Sequence, residues 1–156
     1  MHNIEDAFEH IPSNVQNLIH CARIQDVVMR SLMSLERAES DKFLSCFDCN
    51  AEIQTKEFGW VSPIIFLERL AVPLFRYEVI EHNPVSIVVD QHGNLASCNT
   101  QCISHFGPSG HLRQGSWGSE SAVYRDKLNR VAGEWLITRR QVTVQWTEGT
   151  EDALSY

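Results

Sequence analysis

Hydrophobic residues in the first part of the chain recur every three or four positions, the spacing of one face of an α-helix. This repeat runs from Ser13 to about Glu39 and predicts one long helix. Ser13 follows Pro12 and is a suitable N-cap residue, because its hydroxyl can accept a hydrogen bond from the first turn. The apolar face consists of Val15, Leu18, Ile19, Ala22, Ile24, Val27, Val28, Leu32 and Leu35.

Two shorter helices are predicted next. Ser40 precedes an acidic residue and three apolar residues that share one face, which predicts a helix closing at Cys49-Asn50. Ser62 stands before Pro63, and a capping hydroxyl ahead of a proline is typical of a helix start. We expect this third helix to end at Pro73, since proline interrupts the helical hydrogen bonds.

Beyond Pro73 the apolar spacing changes to two, the repeat of a β-strand. The segment 85–89 predicts a strand that reaches a turn cluster at 90–94. The segment 95–106 predicts the returning strand, so the two form a hairpin.

A second hairpin is predicted after a glycine- and serine-rich loop at 107–119. Its strands are 122–131 and 134–146, which flank the turn Ala132-Gly133. Helices come first and antiparallel strands follow. This order predicts an α+β fold in which the N-terminal helices pack on one face of a curved antiparallel sheet.

The composition fits one globular domain with its own core, because 43% of the 156 residues are hydrophobic. We expect a single domain over 1–156, with its core at about 13–147 and an acidic tail at 148–156. Thirteen Lys and Arg against twenty Asp and Glu give a net charge of −7. This balance argues against a nucleic-acid partner, which needs a basic patch. We interpret the adjacent Arg139-Arg140 as a solvated face.

The sequence also gives no sign of a membrane partner. No apolar run approaches the roughly 20 residues that cross a bilayer. The residues 1–6 lack the basic start and apolar stretch of a secretory signal. We therefore expect a cytoplasmic protein.

The five cysteines raise the question of a metal site. Cys46 and Cys49 have CxxC spacing, and Cys98 and Cys102 could complete a four-thiolate zinc site. Cys98 and Cys102 fall on one predicted strand, however, and are then about 13 Å apart. They cannot share an ion whose bonds are about 2.3 Å long. We expect small apolar core residues and no metal.

Two stretches carry a family resemblance. In the first, the segments 24–28 and 35–41 give a helix that carries an acid and a second acid a few residues on, and Phe47-Asp48-Cys49-Asn50-Ala51 follows, similar to a Phe-x-x-Asp-Ala motif. The residues 124–135 match Tyr-x-Asp-x-x-x-Arg-x-x-Gly-x-Trp. Both resemble the SnoaL-like group of the nuclear transport factor 2-like superfamily, over about 24–146.

The resemblance implies a conical, half-open barrel, in which a strongly bent antiparallel sheet wraps around a long helix and leaves an apolar pocket. Members of the superfamily include polyketide cyclases, scytalone dehydratases, steroid isomerases, a dehydrochlorinase and epoxide hydrolases. Other members are non-catalytic subunits or binding modules.

The resemblance also implies catalytic candidates. Glu36 stands where many SnoaL-like enzymes carry a helix-borne aspartate; without the resemblance it would be a solvated helix residue. His105 matches a catalytic histidine of scytalone dehydratases, and a strand-end histidine bonded to solvent is the alternative. His82 matches a second histidine when the chain is aligned on Gly93. Alignment on Asn83-Pro84 selects Glu78 or Val79 instead.

Tyr124 matches a substrate-binding position, and simple packing is the alternative reading. Trp60, Phe66 and Trp117 could line the pocket or pack in the core. The remaining histidines are expected at the surface: His2, His10, His20, His92 and His111.

The sequence departs from scytalone dehydratases at Leu35 and Thr55, where those enzymes carry two water-holding tyrosines. We therefore expect a related lyase or isomerase without a cofactor: a dehydratase, double-bond isomerase or cyclase. A Glu36–His105 pair, helped by His82, would move a proton on a cyclic, mostly apolar molecule of polyketide or terpenoid type.

The alternative is a non-catalytic ligand-binding or assembly subunit of the same fold. It predicts that Glu36 and His105 face different environments, more than about 6 Å apart. A homodimer or higher homo-oligomer is expected in both cases, because an open curved sheet leaves an outer face to cover.

Overall fold

The computed structural model describes residues 11–74, 79–107 and 117–149. The helices in these residues are α1 (Ser13–Glu36), α2 (Ser40–Leu44) and α3 (Pro63–Leu74). The strands are β1 (Phe47–Thr55), β2 (Gly59–Val61), β3 (Val79–His92), β4 (Leu95–Gly107), β5 (Gly118–Val131) and β6 (Glu134–Glu148).

These strands form one sheet in the order β2-β1-β6-β5-β4-β3. The strands β3 to β6 are antiparallel neighbours, as predicted, whereas β1 runs parallel to β6. The sheet is therefore mixed rather than purely antiparallel. It is curved and does not close, and α1 packs against β3, β4 and β6. The predicted α+β fold, a half-open cone around the N-terminal helix, is confirmed.

The core lies between α1 and the inner face of the sheet. Alternating residues of β4 show which face this is, because Cys98, Thr100, Cys102 and Ser104 are buried while Gln101 between them is exposed. A large apolar cluster includes Ile24, Val28, Phe43, Leu128, Trp135 and Ile137. A smaller cluster includes Leu32, Cys102, Ala122, Tyr124 and Val142.

The first prediction to be corrected is the second helix. It ends at Leu44, and Phe47 already belongs to β1, where it pairs with Ile137 of β6. The Phe47 ring packs against Phe43 at 4.8 Å between centroids, the contact that the helical pattern anticipated. The local spacing correctly predicted this side-chain contact, but pairing with the distant strand β6 makes the backbone at Phe47 a strand rather than a helix. The long helix also ends earlier than predicted, at Glu36, where the chain turns through Ala38 with φ of 53°.

The third helix begins at Pro63 as predicted, and the backbone N of Ile65 lies 3.4 Å from the Ser62 hydroxyl. It ends at Leu74, one residue beyond the expected stop. Both hairpins are confirmed; the first strand of each begins earlier than predicted, at Val79 and Gly118, and the returning strands begin at Leu95 and Glu134 as predicted. Ala132 and Gly133 have φ of 49° and 86°, the pair of positive values that a tight type I′ turn requires.

Other expectations are tested only in part. Most of the predicted 107–119 loop and of the 148–156 tail lies outside the described residues. All five cysteines are free thiols. Cys46, Cys98 and Cys102 are buried as expected, whereas Cys21 is half-buried and Cys49 is exposed on β1. None of the described helices is both long and apolar enough to cross a membrane.

Candidate active site

The centre of the candidate site is a contact between the end of α1 and the edge of the sheet. Glu36 is the last residue of α1, and His82 lies on the edge strand β3. Nδ1 of His82 is 3.2 Å from Oε1 of Glu36, and the backbone N–H of His82 donates to the same oxygen. An N–H on the free side of an edge strand has no strand partner, so the carboxylate takes that place.

Both side chains are largely withdrawn from solvent, with 4% of the His82 side chain and 21% of the Glu36 side chain exposed. Burial alone would raise the pKa of Glu36, but hydrogen bonds from the His82 ring and backbone, with the charges of His82 and Arg37, lower it overall. Glu36 is therefore ionised at neutral pH. An ionised acceptor at Nδ1 favours the tautomer with its proton there, which leaves the Nε2 lone pair for a substrate.

His82 also lines a narrow cavity under the inner face, with a volume of about 10 Å³, the size of one water site. Its lining is mostly apolar and consists of Leu35, Thr55, Phe66, His82, Tyr124, Arg140 and Val142. Two residues expected at a pocket, Phe66 and Tyr124, are part of it. Leu35 and Thr55 are the two positions at which the sequence lacks tyrosine, so no phenol projects from them.

His105 does not join Glu36, and this part of the sequence-based prediction is wrong. In the β3–β4 register His82 stands opposite Ser104, while His105 stands opposite Glu81. Neighbouring residues of a strand point to opposite faces, so His105 lies on the other face of the sheet from His82. Its Nδ1 is 2.9 Å from the Ser119 hydroxyl instead.

The two predicted tryptophans also lie away from this cavity. Trp60 is 41% exposed and belongs to a groove on the outer face, where the Arg139 guanidinium sits 3.9 Å above its ring. Trp117 is 46% exposed, and its indole covers Gly107 so closely that a Cβ there would lie 2.6 Å from the ring. Trp60 is thus an outer-face residue, contrary to the prediction, and Trp117 is not among the side chains of the cavity.

Arg140 lines the cavity, although the sequence analysis did not predict it there. It was expected on a solvated face with Arg139, yet its side chain is 2% exposed. Nε and Nη2 of Arg140 donate to the two oxygens of Asp126 at 2.7 and 2.9 Å. The guanidinium lies 5.4 Å from the Tyr124 ring centroid. Strand alternation was the missed signal, because adjacent arginines on one strand must face opposite sides.

The other histidines divide into three cases. His20 is buried and accepts a hydrogen bond from Trp135 Nε1 at 3.2 Å, so its expected surface position is wrong. His92 is exposed beside Asp90, as expected. The histidines at 2, 10 and 111 lie outside the described residues, as does the alternative candidate Glu78, while Val79 begins β3.

No metal centre is formed by the described part of the chain, in which no three His, Cys, Asp or Glu side chains come together as ligands. Burial raises the pKa of Tyr124, so its hydroxyl keeps its proton. The site therefore offers an ionised carboxylate, an imidazole held by it, a phenol and apolar walls.

No protein-family model and no curated protein matches the chain. Solved structures do match its fold. A hexachlorocyclohexane dehydrochlorinase from Novosphingobium barchaimii LL02 superposes with a TM-score of 0.76 at 13% identity, over 92% of this chain and 98% of that one. A candidate scytalone dehydratase from Novosphingobium aromaticivorans gives a TM-score of 0.72 at 16% identity, over 86% and 90%.

A protein of unknown function from Mycobacterium tuberculosis has a TM-score of 0.72 at 16% identity, over 87% of this chain and 78% of that one. These likenesses cover most of each chain and are consistent with the fold of the nuclear transport factor 2-like superfamily, as the sequence predicted. Two of the three similar structures are named for eliminations, one of hydrogen chloride and one of water.

Proposed function

We propose that this protein is a cofactor-independent lyase or isomerase that moves a proton on a cyclic, mostly apolar molecule. The observation that carries the proposal is the buried contact between His82 and the ionised Glu36 beside an apolar cavity. An imidazole with a carboxylate partner suits proton transfer near neutral pH, because the carboxylate orients the ring and stabilises the imidazolium that forms.

In the proposed reaction, Nε2 of His82 takes a proton from a substrate carbon. The electron pair of the broken C–H bond forms a C=C bond. In an elimination, the leaving group departs with its bonding pair, and a departing hydroxide takes the proton back and leaves as water. In an isomerisation, the imidazolium returns the proton to another carbon of the same molecule.

The walls of the cavity support the substrate class. Leu35, Phe66 and Val142 provide apolar surface, and the Tyr124 hydroxyl provides a donor. A ring-sized substrate of polyketide or terpenoid type needs more room than about 10 Å³, so Phe66 or its neighbours on α3 must move when it enters. The absence of phenols at positions 35 and 55 argues against the water-holding arrangement of scytalone dehydratases.

A non-catalytic carrier or assembly subunit is the second candidate. The separation of Glu36 from His105 is what that candidate predicted, because the two residues face different environments. The Glu36–His82 contact favours catalysis, since it supplies the same carboxylate–imidazole pair from another strand. A carrier would bind an apolar ring and leave its protons unexchanged.

The test uses 2-tetralone, a cyclic ketone with exchangeable protons next to its carbonyl, in D₂O with NMR detection. Wild-type protein is expected to speed up deuterium incorporation, and His82→Gln to slow it by about 100-fold or more. His105→Gln is the matched control, because that ring lies on the outer face, and it should exchange at the wild-type rate. Binding of 2-tetralone without any catalysed exchange would support the carrier.

A further inference from the structure

Glu120 is a buried acidic residue that has no role in the proton transfer proposed above. It lies on β5 and is fully buried at 0% exposure, and among the described residues neither of its carboxylate oxygens has a hydrogen-bond partner. A buried carboxyl group without partners is costly, above all when it is charged. Such a group in a folded protein calls for an explanation in terms of function or of a bound molecule.

The sheet register places Glu120 on the same face as His82. Ser104 of β4 stands opposite His82 on one side and opposite Glu120 on the other. Residues that stand directly opposite each other point to the same face, so the three side chains form one row across the inner face. With strands about 4.8 Å apart, His82 and Glu120 are about 10 Å apart at the backbone.

A substrate that reached both side chains would lie on the inner face over Ser104, which stands between them. Cys102 lies on the same inner face, where burial, with smaller contributions from the carboxyl groups of Glu36 and Glu120, raises the pKa of its thiol. Tyr124, a residue that lines the cavity, has its pKa raised mainly by burial, and Glu120 adds to this shift. Glu120 therefore faces the interior region that the Glu36–His82 pair borders on its other side.

The surroundings keep Glu120 protonated. Burial is the main cause that raises its pKa, and the nearby charge of Glu57 adds to it, giving a value of about 8. In the described part of the chain, the other titratable groups that interact with it are the Cys102 thiol and the Tyr124 phenol, and the pKa of each is itself raised by burial. At neutral pH the two interior glutamates are in opposite states, with Glu36 ionised and Glu120 neutral. Carboxyl groups set apart in this way serve as base and acid.

We propose that Glu120 is the catalytic acid of the site and donates its proton to a carbonyl oxygen of the substrate. This inference rests on the proposed function and narrows the substrate to a cyclic ketone or a related carbonyl compound. His82 takes a proton from the carbon next to the carbonyl, and the C–H electron pair forms the C=C bond. The carbonyl π pair moves to oxygen, which takes the Glu120 proton. The enol is then bound by a carboxylate that recovers the proton when the ketone re-forms.

The protonation state is measured first, on the protein alone. Infrared difference spectra between wild type and Glu120→Gln should show a carboxylic-acid C=O band at neutral pH that disappears with a midpoint near pH 8. Glu57→Gln is the matched variant. Its side chain is exposed, and removing its charge should lower that midpoint. A carboxylate spectrum at neutral pH would overturn the proposal.

The contact with substrate is measured next, with 2-tetralone as the probe. Its carbonyl stretch should move to lower frequency on binding to wild type and to His82→Gln, and should not move with Glu120→Leu, which keeps the volume but has no donor. Glu120→Leu should also slow deuterium exchange by about 100-fold. Glu120→Gln keeps an amide donor and should keep the carbonyl shift.

These results separate the two claims. A carbonyl shift without any catalysed exchange in wild type would overturn the proposed proton transfer and the acid role, but would keep Glu120 as a carbonyl-binding residue. Exchange that is unchanged in Glu120→Leu, or a carbonyl that does not shift in wild type, would overturn the role of Glu120 and leave the Glu36–His82 pair in place.

Discussion

Glu36 and His82 are 46 positions apart in the chain, and the 3.2 Å contact between Oε1 and Nδ1 joins the last residue of α1 to the edge strand β3. The same carboxylate oxygen also accepts the His82 backbone N–H, so it fixes both the strand and the ring. This double contact is what makes the pair suited to chemistry. An imidazole held at Nδ1 presents Nε2 in a defined direction.

Replacing Glu36 by Gln should slow the exchange of 2-tetralone by about 100-fold, because the amide has no charge to stabilise an imidazolium. Glu39→Gln is the control. Glu39 is paired with Lys42 at the surface at 2.7 Å, and its replacement should leave the rate unchanged. An unchanged rate in Glu36→Gln would show that the carboxylate has no part in the reaction.

The stability difference between wild type and Glu36→Gln should depend on pH. The pKa of Glu36 is lowered in the folded protein, so its charge stabilises the fold at pH values above the unfolded pKa. This contribution is lost as the pH falls through the folded pKa. Urea unfolding should therefore show a larger difference at neutral pH than in acid. A difference that is equal at both pH values would contradict the lowered pKa.

Asp126→Asn should lower the free energy of unfolding by about 3–5 kcal/mol, because it leaves the buried charge of Arg140 without its partner. The double variant Asp126→Asn, Arg140→Met should lose less, since no unpaired charge remains. Asp26→Asn removes an exposed pair at 4.0 Å and should cost less than about 1 kcal/mol. Denaturant unfolding measures all three. Equal losses at positions 26 and 126 would rule out a special role for burial.

The cysteines should differ widely in reactivity. Cys98 and Cys102 are buried, and burial raises the pKa of each thiol to about 11. Little thiolate is present at neutral pH, so maleimide should label Cys49 first, since it is exposed. Mass spectrometry of the native protein and of a urea-unfolded control, in which all five should react, checks this order. Early labelling of Cys98 or Cys102 would show that the inner face opens.

The elements that were predicted correctly from the sequence are those that depend on local residue patterns. The three-and-four repeat from Ser13 and the tight turn at Ala132-Gly133 are properties of short segments, and both gave the right elements. The start of the strand β1 was missed because Phe47 also fits the apolar face of the preceding helix, and the rest of β1 was not predicted. Only its pairing with β6, about 90 residues later, decides between helix and strand.

The site was harder to predict because it depends on which face of the sheet a side chain points to. The family resemblance pointed to Glu36, but either of two histidines could have been the one that contacts its carboxylate. His82 and His105 lie on adjacent strands, and a shift of one position in either strand would turn its histidine to the opposite face of the sheet. Glu120 was missed because it lies between Ser119 and Ser121, a polar stretch ahead of the predicted strand. Counting back by twos from Tyr124 would have placed it on the inner face.

The most direct test of the Glu36–His82 pair is a double-mutant cycle on the rate of 2-tetralone exchange, with Glu36→Gln, His82→Gln and the double variant. Residues that act as one unit give strongly non-additive losses. We expect the double variant to exchange at about the rate of His82→Gln alone, because the carboxylate acts only through the imidazole. Losses that multiply in the double variant, or a wild-type rate in His82→Gln, would contradict the pair.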